Sequence, residues 1–350
     1  MTTVMKHTPI LLLLSLVMAY IGMIPVEGGP PRLPLHSQAQ NENEQSGLQA
    51  EVLIEKSQSK RKRAALVKDS NKLWPNNVVP YTFNETYFDR HQKLFVKDVV
   101  LPFLEKHTCI DFRTKTSSDT DWLAIEDCRD TQWSGWNSGC VANLGFMKQG
   151  EQFVCLSGNN DCKTPGLMFH ELGHALGLKH EHQRGDRDTH VTVNYSNIQT
   201  GSSSAFDKFD NSDYLVTAYD LRSVMHYDRR AFSRDYSNLY TITAKVAADN
   251  AKIRFVKLKL PSYLDIKKIN EAYNCKDTCT TPCASGNYVD KNCACVTEQV
   301  YKDATCVDFY ATGGWGTTAD CTNWKSWGEC TNNLIWMAFY CRKTCDQCGV

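Results

Sequence analysis

Hydrophobic and polar positions change rhythm several times along this 350-residue chain. From Ile10 to Ile24 apolar residues follow one another almost without a break, behind Lys6 and His7 and ahead of Pro25. The run is short for a bilayer span, and Val26-Glu27-Gly28 offers a small-residue cleavage site, so residues 1–28 read as a secretory signal peptide. Residues 29–63 are rich in Pro, Gln, Asn, Glu and Ser and hold no aromatic side chain, too little apolar surface to build a core. Patterned segments begin beyond Arg63. VVPYTF (78–83), WLAIED (122–127) and EQFVCL (151–156) have the length and the β-branched and aromatic content of strands. Residues 91–108 place Leu94, Phe95, Val99 and Leu101 at helical spacing. A shorter helix is expected at about 165–177. There Thr164-Pro165 supplies a capping hydroxyl and a proline for the first helical position, and Gly177 can take the left-handed conformation that ends a helix. Strands and helices in this arrangement describe an α+β domain.

The short helix carries the candidate chemistry, HELGHALGLKHE at 170–181. Helical residues four apart share a face, so His170 and His174 can aim their rings at one point. After the turn at Gly177, His180 can swing back toward the pair. Three imidazoles around one point suit zinc, which prefers nitrogen donors and keeps a position open when it is catalytic. Zinc also lowers the pKa of a water molecule it holds to about 7, and Glu171, next to His170, can take that water's proton. A helix with surface histidines is the plain alternative. Five fixed positions at roughly one chance in twenty each make coincidence an event on the order of one in millions. Downstream, SVMHY (223–227) supplies a methionine-containing turn of the kind that lies beneath the metal in metzincins.

With WPNNVVPYTF (74–83), HTCIDF (107–112), GLMFHELGHALGLKHEHQRGDRD (166–188) and SVMHY in order, residues 64–275 resemble the astacin family of secreted zinc endopeptidases. The resemblance implies a metzincin/astacin catalytic domain with a twisted sheet and an active-site helix, followed by small disulfide-rich modules. It implies one zinc per subunit on His170, His174 and His180, with Tyr227 as a further ligand that swings away to support the oxyanion. Glu171 would be the general base, Met225 the Met-turn residue and Glu181 the acceptor of the new amino terminus. Leu178 stands where the family usually has Phe. Polypeptide substrates would lie along a sheet edge. The family pairs Cys109 with Cys275 and Cys140 with Cys162, which leaves Cys128 and Cys155 for an extra bridge. The family's usual latency motif, F-x-G-D, is not found; Glu51 or Glu55 is the candidate in its place.

Charge and cysteine content narrow the setting. The formal net charge is zero, so nothing marks nucleic acid as a partner. All sixteen cysteines lie at or after Cys109, an even, dense set that belongs in an oxidising compartment. Secretion follows, with storage in a venom capsule or secretory vesicle as one version of it. The basic run Lys60-Arg61-Lys62-Arg63 is either a solvated linker or a proprotein-convertase site; cleavage after Arg63 would free Ala64 and make 29–63 a propeptide. Asn84 and Asn194 begin glycosylation sequons.

Two cysteine-rich segments close the chain. Cys279, Cys283, Cys293 and Cys295 (276–300) allow three pairings and resemble a reduced EGF-like linker, with a zinc knuckle as the alternative. Residues 305–348 resemble the ShK-toxin domain found in cnidarian and worm proteases. That resemblance implies the bridges Cys306–Cys348, Cys321–Cys341 and Cys330–Cys345. The toxin's pore-plugging lysine and tyrosine fall on Ile335 and Trp336, which with Met337 form an apolar patch of the kind that marks a protein contact or packing against the catalytic domain, so docking or substrate recruitment is expected. Isoleucine offers a cation-selective pore no charge, so channel block by the toxin's mechanism is not expected; a venom component acting through this module on ion channels or receptors stands as the second functional reading. A catalytically dead binding protein is a third, opposed by the intact histidines and glutamate. Arg229, Arg230, Arg234 and Lys245 follow the Met-turn and are candidates for selecting acidic side chains after the scissile bond.

Overall fold

A computed structural model describes residues 70–130, 139–157, 161–209, 217–280, 282–284 and 286–348. The signal and propeptide segments, Glu51, Glu55 and the Arg63–Ala64 junction lie outside the described residues. Five strands form one sheet: β1 (Val78–Phe83), β2 (Asp111–Thr114), β3 (Trp122–Glu126), β4 (Cys140–Ala142) and β5 (Glu151–Leu156), in the order β2-β1-β3-β5-β4. The first four in that order run parallel, and only β4, at the edge, is antiparallel to its neighbour. Strands β3 and β5 are buried at nearly every position, as expected of parallel strands covered on both faces.

A continuous helical run packs on the sheet face that carries Leu123, Ile125 and Val154. Helix α1 (Arg90–Phe95) starts from a capping box between Asp89 and Gln92, passes through a π-helical turn at Val96–Val100, and continues as α2 (Leu101–His107). Pro102 offers no amide for the regular ladder, and the wider turn just before it, where the Leu101 amide reaches the Val96 carbonyl, absorbs the mismatch. Beside that run on the same face lies α3 (Pro165–Ala175), buried along its whole length, packed against β4 and β5 and touching α2 where Phe169 meets Phe103. Thr164 has the extended backbone of an N-cap, but contrary to the sequence expectation its side chain does not cap the helix.

The lower half is mostly irregular, with a two-stranded ribbon of β6 (Val191–Val193) and β7 (Ile242–Ala244) around a separate cluster that includes Phe206, Tyr227, Phe232 and Ile242. Helix α4 (Tyr263–Ala272), capped by Ser262 and Asp265, returns to the main core. The tail continues with the hairpin β8 (Tyr288–Val289) and β9 (Cys295–Val296). It ends in α5 (Glu298–Thr305), α6 (Phe309–Thr312), α7 (Thr318–Ser326), α8 (Glu329–Asn332) and α9 (Leu334–Tyr340). Disulfides join Cys109–Cys275, Cys140–Cys162, Cys128–Cys155, Cys306–Cys348, Cys321–Cys341 and Cys330–Cys345. The linker pairs Cys279 with Cys293 and Cys283 with Cys295.

Candidate metal centre

Helix α3 brings His170 and His174 to one face, one turn apart. At its end Gly177 takes φ 98°, and the Gly177 and Leu178 amides bond back to the His174 and Gly173 carbonyls at 2.8 Å each. This tight reversal returns His180 to the pair. The Nε2 atom of His180 lies 3.2 Å from Nε2 of His170 and 3.2 Å from Nε2 of His174. Nitrogen donors at about 2.0–2.1 Å on a tetrahedral zinc stand roughly 3.3 Å apart, so the donor set fits the ion.

The other ring nitrogens confirm the orientation. Nδ1 of His170 donates to the Val224 carbonyl at 2.7 Å and Nδ1 of His174 to the Leu178 carbonyl at 2.7 Å. Nδ1 of His180 donates to Oε1 of Gln183 at 3.2 Å, and Gln183 is held in that sense because its Nε2 donates to the Ala205 carbonyl. Acceptors on all three Nδ1 atoms leave all three Nε2 lone pairs facing inward, the tautomer a metal needs. Gln183 lies within the quoted motif, but spacing alone gave no sign of its role.

Glu171 is fully buried beside His170. Tyr227 is buried too, its ring stacked 3.8 Å from that of His182 and 4.7 Å from that of His180. Met225 lies under α3, where a Cβ on Gly173 would come within 2.8 Å of its sulfur. That close approach explains the glycine between the two histidines. Leu178 is buried beside the helix end.

Two residues that sequence reasoning missed hold the Met-turn from below. Lys259 donates to the Ser223 carbonyl at 2.8 Å and the His226 carbonyl at 2.9 Å. Burial brings its pKa down to about 8, against the pull of Asp265, Asp220 and Asp228. Asp265 takes the Ser223 hydroxyl and the Val224 amide. The Ser262-x-x-Asp265 pattern signals a helix start, not this second bond set. Glu181 accepts from Arg184 at 3.0 Å, from the Asp220 amide at 2.9 Å and from Lys268 at 2.6 Å.

The other expected residues divide. Arg229 and Arg230 both lie over the Tyr240 ring, at 3.7 and 4.3 Å from its centroid, whereas Arg234 and Lys245 are exposed. Asn84 is exposed and its Oδ1 accepts the Thr86 hydroxyl at 2.7 Å; Asn194 is half-buried with its amide donating to the Tyr240 carbonyl at 3.3 Å. No helix among the described residues is long and apolar enough to cross a membrane.

Residues 66–274 match the family model described as Astacin, a peptidase family, and 305–348 match ShK domain-like. The chain is 35% identical over 212 residues to zinc metalloproteinase nas-8 of Steinernema carpocapsae, covering 58% of this chain and 45% of that protein. It is 31% identical over 280 residues to blastula protease 10 of Paracentrotus lividus, covering 78% and 44%. The chain thus spans about half the length of most of these relatives. Among solved structures it is similar to high choriolytic enzyme 1, a hatching-enzyme zinc protease from Oryzias latipes, with a TM-score of 0.51, 30% identity and coverage of 61% of this chain and 99% of that one. With the histidine geometry, the Met-turn and a family model matched over more than half its length, the chain belongs to the astacin family of peptidases.

Proposed function

We propose that this chain is a secreted zinc endopeptidase that hydrolyses internal peptide bonds of extracellular polypeptides. The observation that carries the reading is the convergence of three Nε2 atoms, each fixed by an acceptor on its Nδ1. Zinc held by His170, His174 and His180 supplies Lewis acidity toward a carbonyl oxygen and makes water nucleophilic near neutral pH. The chain's own groups do the rest. Glu171 accepts the proton of the attacking water on its carboxylate and returns it to the departing amine nitrogen. Tyr227 donates its phenol hydrogen to the oxyanion that develops on the carbonyl. Edge strand β4 is where an extended substrate would add as a further strand, bringing the scissile bond to the histidines.

Maturation belongs to the same reading: a proprotein convertase cuts after Arg63, separating the propeptide from a catalytic domain of 64–275. The linker 276–300 and the module 305–348 follow. Exposed Asn84 is the better placed glycan acceptor, since the Asn194 amide is already engaged.

The test compares the matured protein, a chelated sample and Glu171→Gln on a peptide library. Cleavage should stop on chelation and return with zinc, and Glu171→Gln should keep stoichiometric zinc while losing at least about a thousandfold in kcat. Cleavage that persists after complete zinc removal would reject the metal reading. Near-normal turnover by the variant would remove Glu171 as the base.

A further inference from the structure

The module at 305–348 is packed into the peptidase rather than tethered to it. On α9, Phe339 meets Phe95 of α1 edge-on at 4.7 Å between ring centroids, and Tyr340 meets the same ring at 5.6 Å. Phe339 also stacks on Phe309 at 4.8 Å. Phe309 lies 6.5 Å from Phe103, and Phe103 lies 5.1 Å from Phe169, edge-on. Phe169 immediately precedes His170 on α3. A continuous aromatic path therefore joins the module to the metal-bearing helix.

A second path runs beside it. The short turn at Val256–Leu258 packs against both α9 and α3. On the α3 side the approach is so close that a Cβ on Gly166 would fall 1.9 Å from the Val256 carbonyl oxygen. Nearby, Arg254 donates to Gln347 at 2.5 Å. Helix α5, between the linker and the module, adds a third tie, where Tyr301 donates to the Pro261 carbonyl at 2.6 Å and its ring meets His107 at 5.1 Å.

Of the two positions that match the toxin's plug, Trp336 is spent on packing within the module and Ile335 is half-buried. Trp336 is 5% exposed, with Trp324, Tyr310 and Tyr340 around it, and Met337 is fully buried. The sequence expectation of an apolar patch at 335–337 is revised: only Ile335 retains intermediate exposure. A pore that selects cations needs an accessible cationic plug, and this segment offers neither the charge nor the access.

We propose that the C-terminal six-cysteine module is an intramolecular brace for the active-site helix, with helices α1 and α2 and the Val256–Leu258 turn as its docking surface. The module holds α3 in register through aromatic contacts too closely packed to leave either partner indifferent to the other. Its residues position the site; none of them touches substrate. The proposal rests on the peptidase reading for its effect on turnover, but the coupling itself can be read without turnover.

The experiment uses the matured full chain, with Phe339→Ala, Phe309→Leu, and Val300→Ala as a control at an exposed position of α5. Hydrogen exchange is followed in a peptide covering α3 and in one covering β5, and kcat and KM are measured on one peptide substrate. In Phe339→Ala, exchange in α3 should rise about tenfold with β5 unchanged, and kcat should fall about fivefold at nearly constant KM. Phe309→Leu should show the same pattern at smaller amplitude and carries the comparison if Phe339→Ala fails to fold. Val300→Ala should match the parent. Unchanged exchange in α3, or an equal rise in α3 and β5, would overturn the brace. So would potent block of voltage-gated potassium currents by the full chain that is lost in Trp336→Ala. Normal α3 exchange in a protein that never cleaves peptide would count against both readings, whereas raised α3 exchange in such a protein would reject only the peptidase.

Discussion

The carboxylate of Asp265 accepts the Ser223 hydroxyl at 2.6 Å and, through its other oxygen, the Val224 amide at 2.8 Å. The same side chain caps α4 by accepting the Ser262 amide at 3.0 Å. The Val224 carbonyl in turn holds Nδ1 of His170. One buried carboxylate thus links the start of α4, the Met-turn and a metal ligand. Removing it strands buried donors at about 1–3 kcal/mol each. Asp265→Ala should lose about 3–5 kcal/mol of stability and about 10- to 100-fold in zinc affinity. Asp265→Asn, which keeps one acceptor oxygen, should lose less. Thermal unfolding and zinc competition check this; an Ala variant with parental zinc affinity would rule out the linkage.

Much of the site was legible because its logic is local. HELGHALGLKHE encodes two ligands on one helical face, a glycine reversal and a third ligand, all within twelve residues. Strands at 78–83 and 151–156 stand where alternation and β-branching put them, and 122–126 differs from expectation by one residue. What escaped is non-local. Lys259 and Asp265 reach the Met-turn across separations of 33 to 42 residues, and no periodicity reports such a meeting. Sheet order, with β5 inserted between β3 and β4, was invisible for the same reason. The apolar run 335–340 was visible, but its partner Phe95 lies on a helix far upstream, so an exposed patch and a buried contact looked alike.

His107 should make the protein acid-sensitive. Burial lowers its pKa to about 4, Lys106 pushes the same way, and Asp290 opposes. The unfolded value is near 6.5. Between these values the unfolded chain binds the extra proton, so stability rises with pH across the window. The stability given by the neutral ring is complete above about pH 6.5 and falls away as pH drops toward 4, by roughly 3 kcal/mol in all. His107→Phe, which preserves contact with Phe103 and Tyr301, should flatten the fall in unfolding temperature between neutral pH and pH 4.5. Parallel pH profiles for variant and parent would exclude His107 as the cause.

Substrate choice should depend on the cations at Tyr240. Its ring holds the Arg229 and Arg230 guanidinium groups, and its hydroxyl accepts from Arg230 at 3.1 Å. A fixed guanidinium attracts a carboxylate more selectively than a freely moving one, because less side-chain freedom is lost on pairing. Arg230→Ala should cut kcat/KM for substrates with Asp or Glu after the scissile bond by about 10- to 100-fold, the worth of one charged hydrogen bond. Substrates with neutral residues there should change less than about threefold. Arg234→Ala, at an exposed position, should leave both unchanged. Equal losses on acidic and neutral peptides would show that Arg230 serves structure and not selection.

Glu181 offers the sharpest question about maturation. A carboxylate has about four acceptor sites, and three are taken by Arg184, the Asp220 amide and Lys268. One remains for the amine of Ala64, which the family resemblance assigns to it. Yet Lys268, itself buried, already brings a full positive charge to within 2.6 Å. Removing one member of a buried ion pair typically costs about 3–5 kcal/mol where the partner is left uncompensated. Here the Arg184 guanidinium stays on the carboxylate at 3.0 Å, so Lys268→Met should cost less, about 1–3 kcal/mol, and Lys268→Arg should recover part of it. The amine of Ala64, arriving at a carboxylate already neutralised, should matter less: mature protein beginning at Ala65 should retain activity within about threefold. Amino-terminal sequencing of active protein should give Ala64, and rates for the two start sites and the Lys268 variants complete the comparison. A loss of activity on trimming well beyond threefold would show that the carboxylate of Glu181 still depends on the new amino terminus and that Lys268 does not suffice.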